Sequence, residues 1–174
     1  MQLTPVMQRY VIHWGEMGTR WGINRSVAQI QALLYLAPEP LHAEEIVETL
    51  GMARSNVSVG LKELVSWRLV HTTHTLGDRR DFFVAQKDPW EVVRLIVEAR
   101  RQRELDPTVG FLKDCAATLE SDKETAPHVR DQILGQLEFM QTFMGWYNAL
   151  TGLPQKTLLK MMRLGHRLAK VIGT

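Results

Sequence analysis

Between Arg54 and Lys62 the chain sets Arg54, Ser55, Asn56, Ser58, Val59 and Lys62 within one short stretch. Each is a side-chain type that can read or grip a nucleic acid. Asparagine bonds bidentately to adenine, serine donates or accepts, and valine can touch a thymine methyl, while arginine and lysine reach phosphate or guanine. At about 100° per residue, an inward stripe of Val57, Leu61, Leu64 and Val65 leaves Ser55, Val59, Lys62 and Ser66 opposite it. Asn56, Ser58 and Glu63 then lie on the flanks. A merely solvated helix face carries similar residues, so the elements around this stretch decide its meaning.

Those elements are legible as a series. Thr4 and Pro5 open a first helix with Val6, Met7, Tyr10, Val11, Trp14 and Met17 at helical spacing. A second, capped by Asn24 or Ser26, carries Ile30, Leu33, Leu34 and Ala37 and stops before Pro38-Glu39-Pro40. Leu41-His42 is a short extended piece, and Ala43 to Leu50 a brief helix that His42 caps. Gly51-Met52 breaks it, and the next helix runs from Arg54 to Trp67. Gly60 inside that helix costs about 1 kcal/mol against Ala, which a close helix crossing would explain. Leu69 to Thr75 and Asp81 to Ala85 read as strands joined by Leu76-Gly77-Asp78-Arg79-Arg80, a β-hairpin. Two short helices around a tight turn form a helix-turn-helix, and the hairpin makes it a winged helix, whose second helix can enter a major groove. The expected fold is mostly α, with the winged helix at 24–88, an N-terminal helix at 1–23 and a helical region at 89–174. In that last region Asp88-Pro89 opens a helix from Trp90 to about Leu105, and Pro107, Pro127 and Pro154 punctuate three more. The longest carries Val129, Ile133, Leu137, Met140, Met144 and Tyr147 on one stripe, and the last carries Leu158, Met161, Met162, Leu168 and Ile172.

Charge supports the same reading by where it falls. In total, 21 Lys and Arg oppose 19 Asp and Glu, a net +2. Arg54 to Arg80 holds five basic residues (54, 62, 68, 79, 80) against two acids (63, 78), a local +3. Glu39 to Glu48 holds four acids and no Lys or Arg, so the helix there should mostly face away from a polyanion. Composition is that of an ordinary globular chain, without disordered, collagen-like or disulfide-scaffold character. The longest apolar run, Ala32 to Ala37, is far too short to span a bilayer, and Met1 to Arg9 has no signal-peptide pattern, so the expectation is a cytoplasmic protein with no membrane partner.

The run PLHAEEIVETLGMARSNVSVGLKELVSWRLVHTTHTLGDRRDFFVA, from Pro40 to Ala85, resembles the winged helix of MarR-type bacterial transcriptional regulators. Its most distinctive part is the wing-tip pattern Asp78-Arg79-Arg80. Trp-Gly-Ile-Asn-Arg at 21–25, the Trp67-x-Leu-Val ending and the long helical tail are similar to the GbsR branch. The resemblance implies a sequence-specific regulator, such as a repressor, acting as a homodimer on a pseudo-palindromic site in double-stranded DNA. The outer helices of both subunits would pack together. It implies that Arg80 or Arg79 enters the minor groove while Asp78 holds the wing arginine. Two positions depart from the pattern: Ala53 stands where a Ser or Thr cap is usual, and Arg68 where a Gly is, which strains Arg68 if that position needs positive φ. The alternative is a winged helix used for protein–protein contact without DNA binding.

Other candidates are weaker. His13, His42, His71, His74, His128 and His166 lack the tight spacing of a metal site, so neither metal nor other cofactor is expected. Cys115, among Phe111, Leu112, Ala116 and Leu119, reads as a buried structural thiol rather than a redox sensor. Trp14, Trp21, Trp67 and Trp90 read first as core and interface residues. They are also the effector-binding candidates, as an aromatic cage for a quaternary ammonium group such as choline, which the GbsR resemblance permits. Arg100, Arg101 and Arg103 suit a helix C-terminus. No nucleophile elbow, phosphate loop or zinc-protease motif occurs, so the chain is not read as an enzyme.

Overall fold

A computed structural model describes residues 1–161 and 164. Helix α1 (Pro5–Arg20) starts where Thr4 accepts the Met7 N–H, with proline in the first turn. Gly22, at φ 75°, ends it, and the Ile23 N–H returns to the Gly18 carbonyl at 2.8 Å. Helix α2 (Arg25–Leu36) is capped by Asn24, whose side chain accepts the Ser26 N–H at 2.8 Å. The two helices cross closely on small residues: a Cβ added at Gly18 would stand 2.5 Å from the Ala28 Cβ. At its other end, the Lys87 ammonium donates to the carbonyls of Leu34, Tyr35 and Ala37 at 2.8, 2.6 and 2.8 Å. That contact satisfies carbonyls that Pro38 prevents the helix from using.

Strand β1 (Leu41–His42) leads into helix α3 (Ala43–Leu50), and helix α4 (Arg54–Ser66) follows across the left-handed Gly51. Strands β2 (Val70–Thr73) and β3 (Phe82–Ala85) complete an antiparallel sheet in the order β1-β3-β2. Both hairpin strands are shorter than their sequence pattern suggests, so the wing connection spans 74–81. Within it, the Asp78 N–H bonds the Thr75 carbonyl at 3.0 Å and Gly77 takes φ 85°, so a tight turn draws the chain out of the ladder. The pairing of β1 with β3, which sets His42 opposite Phe82, is not visible in either segment alone.

Ile30, Leu33, Leu34, Ile46, Val57, Leu64, Leu69 and Val70 form the fully buried centre. Gly60 marks the crossing of α2 and α4, since a Cβ there would lie 2.6 Å from Ile30 Cδ1. Val65, expected inward, is 38% exposed. One turn beyond buried Leu61, it lines an open groove between α4 and the sheet instead of the core. The end of α4 is built on paired backbone bonds, Arg68 N–H to Val65 and Leu69 N–H to Leu64, at 2.9 and 3.0 Å. This closure requires a left-handed residue, and Arg68 supplies it at φ 59°. Among the described residues it is the one non-glycine with positive φ.

Residues 1–97 and 98–174 form two compact units. Helix α1 and helix α5 (Pro89–Arg100) as far as Val97 lie in the first unit. Val92 and Leu95 of α5 lie buried in its core. Asp88 caps α5 as expected, accepting the Trp90 N–H at 2.9 Å. Pro107 does not interrupt the backbone. A π-helical turn (Arg101–Leu105) precedes helix α6 (Asp106–Leu119), and Arg100, Leu105 and Asp106 all keep helical dihedrals. The widened turn lies just where proline would otherwise remove a hydrogen bond and crowd the preceding carbonyl. Helix α7 (Pro127–Thr151) has the expected half-buried stripe ending at buried Tyr147. Residues 155–161 are helical; Met162, Leu168, Ile172 and His166 lie outside the described residues.

Arg68→Gly should raise stability by roughly 1 kcal/mol, the left-handed penalty less the added flexibility of the unfolded chain. A higher denaturant midpoint at unchanged m-value would register it; an unchanged or lower midpoint would contradict the strain.

Candidate nucleic-acid interface

The outward face of α4 presents Arg54, Ser55, Asn56, Ser58, Val59 and Lys62, all exposed. Val59, an apolar side chain 64% exposed, lies at the middle of that face. Its first turn has no side-chain cap: Ala53 cannot supply one, and Ser55 does not replace it. Next to Asn56 and Val59, Asn24 and Ser26 at the start of α2 border the same small depression. The acidic helix α3 was expected to face away, yet its first turn faces α4: Glu44 Oε1 lies 2.9 Å from Arg54 Nη2.

In the wing, Asp78 grips Arg80 and not Arg79. Its carboxylate accepts the Arg80 backbone N–H and the Nε–H, each at 3.0 Å, and also a terminal guanidinium N–H. These bonds from Arg80 hold the Asp78 carboxyl at about 2 and push the arginine up. The far side of the same guanidinium meets His42, with Nη1 2.8 Å from Nε2, and its carbon lies 5.5 Å from the centre of the Phe82 ring. Arg79 is exposed, and His74 Nε2 closes the neck of the loop against Asp81 at 3.1 Å. Between α4 and the wing sheet runs a groove of about 640 Å³, with Ser58, Lys62 and Val65 on one wall and Thr72, Arg80 and Phe83 on the other.

All the sequence-derived candidates of α4 and the wing lie on this one unit; Arg54, Ser58, Lys62 and Arg80 line that groove, and Asn56 and Val59 border the depression beside α2. Sequence reasoning missed His42, read only as a helix cap, and Glu44, read as turned away. The available signal was Phe82 two residues beyond Arg80, a ring on which a guanidinium can rest. Three of the four tryptophan candidates, Trp14, Trp21 and Trp67, line one apolar cleft of about 30 Å³. That is space for about one water molecule; Trp90 is not among its lining residues. Cys115 is half-buried rather than buried. Arg100 and Arg101 pair with Glu104, Glu98 and Asp106 along their own helical run.

Because the folded value of Asp78 is depressed, its contribution to wing order is full above the ordinary range and is lost as pH falls from about 4 toward about 2. Carboxyl carbon NMR should give Asp78 a midpoint near 2 in the native chain, moving up toward the ordinary value of 3.8 in Arg80→Ala, which removes the guanidinium bonds but keeps the backbone N–H. Equal midpoints in both would show that the grip is absent in solution.

Comparison with known proteins agrees with this geometry. Residues 21–81 match the MarR family model. The HTH-type transcriptional repressor GbsR of Bacillus subtilis (strain 168) is 27% identical over 136 residues, covering 75% of each chain. A crystal structure of a transcriptional regulator superposes with a TM-score of 0.63 at 16% identity, covering 85% of this chain and 97% of the other, a likeness of fold. No helix among the described residues is long and apolar enough to cross a membrane. The winged-helix unit is thus similar to the MarR family over residues 21–81, on a chain that is similar to the GbsR repressor over three quarters of its length.

Proposed function

We propose that the chain is a sequence-specific DNA-binding transcriptional repressor acting as a homodimer on a pseudo-palindromic operator. Helix α4 enters the major groove with Arg54, Ser55, Asn56, Ser58, Val59 and Lys62, and the wing reaches the adjacent minor groove with Arg80, flanked by Arg79. The observation that carries this reading is the preset guanidinium of Arg80, held by Asp78 beside an exposed helix face rich in base-reading side chains. An arginine fixed before contact loses less conformational freedom on binding. The flanking exposed lysine and arginine add phosphate contacts.

A two-fold operator requires two recognition helices about one DNA turn apart. Helix α7 favours self-association: Phe139, Phe143 and Trp146 form an exposed aromatic ladder with ring centres 6.5 and 6.1 Å apart. Exposed apolar surface of this kind usually marks an interface. Packing changes among the outer helices would alter the spacing of the recognition helices, which is a route for an effector. The cleft among Trp14, Trp21 and Trp67 is the site proposed for one, and it must widen before an organic cation enters.

Arg80→Ala should weaken operator binding well over tenfold while circular dichroism stays native, and Lys62→Ala should reduce the salt slope of binding by about 1 per subunit. Operator fragments selected from genomic DNA supply the probe. Wild-type affinity for Arg80→Ala, or retention on DNA indifferent to salt, would point instead to a protein-docking module. Trp146→Glu should shift the chain from dimer to monomer in sedimentation equilibrium; an unchanged dimer would place the interface elsewhere.

A further inference from the structure

His42 stands at the junction of three elements, with its side chain only 14% exposed. The β1–β3 register sets it opposite Phe82, and the two rings meet edge to face at 5.7 Å and 83°. A guanidinium has donors and no acceptor. With Arg80 Nη1 2.8 Å away, His42 Nε2 must therefore offer its lone pair. The neutral ring then carries its proton on Nδ1, which lies 3.2 Å from Glu44 Oε2. The Glu45 N–H, 3.4 Å from the same nitrogen, cannot bond to it in this tautomer. Helix α3 keeps the other half of its cap, the Glu45 carboxylate accepting the His42 N–H at 3.0 Å. Glu44 in turn uses its second oxygen for Arg54. The result is a continuous chain: Asp78, Arg80, His42, Glu44, Arg54.

We propose that His42 is a positioning residue for DNA recognition: its neutral Nδ1–H form ties the wing arginine to the first residue of α4, and protonation unties them. The inference rests on the DNA-binding reading above. The charged groups that face the ring are Glu44 and Glu45 from α3 and Asp78 and Arg80 from the wing, with Arg54 of α4 beyond Glu44. A protonated ring has no lone pair for Arg80. Two cations would then face each other across a hydrogen-bond distance, and the new Nε2–H would turn to Glu45 Oε2, 3.5 Å away. Arg80 keeps Asp78 but loses its second anchor. Acidification should therefore weaken operator binding, whereas the charge gained by the other histidines would strengthen attraction to phosphate.

The test is operator affinity of the full chain between about pH 8 and about pH 5.5, wild type against His42→Gln. Glutamine offers a carbonyl to Arg80 and an amide N–H to Glu44 without a titrating proton. The wild type should lose roughly tenfold, the scale of one hydrogen bond to a charged group, and His42→Gln should lose little. Parallel profiles, or wild-type binding that tightens in acid, would overturn the proposal. Nitrogen NMR of the DNA-free protein separates this from the wider reading. At high pH His42 should show the Nδ1–H tautomer, with Arg80 guanidinium signals that broaden as pH is lowered. An Nε2–H tautomer sinks the relay whatever DNA does; an intact relay in a chain without salt-sensitive DNA affinity sinks the DNA reading and, with it, the role in recognition.

Discussion

A guanidinium stays in one place only where acceptors are held for it, and the candidate interface of this chain is organised around one such arrangement. Asp78 supplies a carboxylate from a tight turn, His42 a ring nitrogen from β1, and Phe82 a ring face from β3. Asp78 and Phe82 each lie two residues from Arg80, but His42 is 38 residues away along the chain. They meet because β1 pairs with β3 and because the wing connection turns at Gly77. Arg80 is about half exposed, so its ion pair with Asp78 adds little to global stability. Its effect is conformational: a long, rotamer-rich side chain is fixed before any partner arrives.

Helix α4, in contrast, has weak local support. It begins without a side-chain cap, contains Gly60 and ends on an arginine in a left-handed conformation. Val57, Leu61 and Leu64 compensate by entering the core, and Gly60 lets α4 approach Ile30 of α2. The helix is positioned by tertiary packing on one side, which leaves its other face available for polar residues and an exposed valine. Its first turn is tied to α3 by the Arg54–Glu44 pair, so the helix start and the wing share one polar network.

The parts of this architecture that were legible in the sequence are those governed by short-range rules. Thr4-Pro5, Asn24 and Asp88-Pro89 each mark a helix start, and Gly51 marks an end. Periodicity separated Val57, Leu61 and Leu64 from the outward face, and failed at Val65, where the α4–sheet groove is open on the side that a helical wheel assigns to the core. Pro107 misled because a π turn can absorb a proline within a helical run. His42 and Glu44 were missed for a different reason: their partners lie 38 and 10 residues away along the chain, across a strand pairing and a helix turn. Local charge did not reveal the wiring of the surface. The +3 and −4 segments touch, and partly neutralise each other at Arg54.

The most direct measurement is DNA cleavage from the wing. An iron chelate attached at Arg79→Cys, in a chain whose single native thiol is removed by Cys115→Ser, generates radicals beside Arg80. A wing seated in the minor groove on both sides of a two-fold site predicts two symmetric cleavage clusters flanking the positions contacted by α4. Tight, salt-sensitive binding without such clusters would contradict the proposed arrangement of wing and helix.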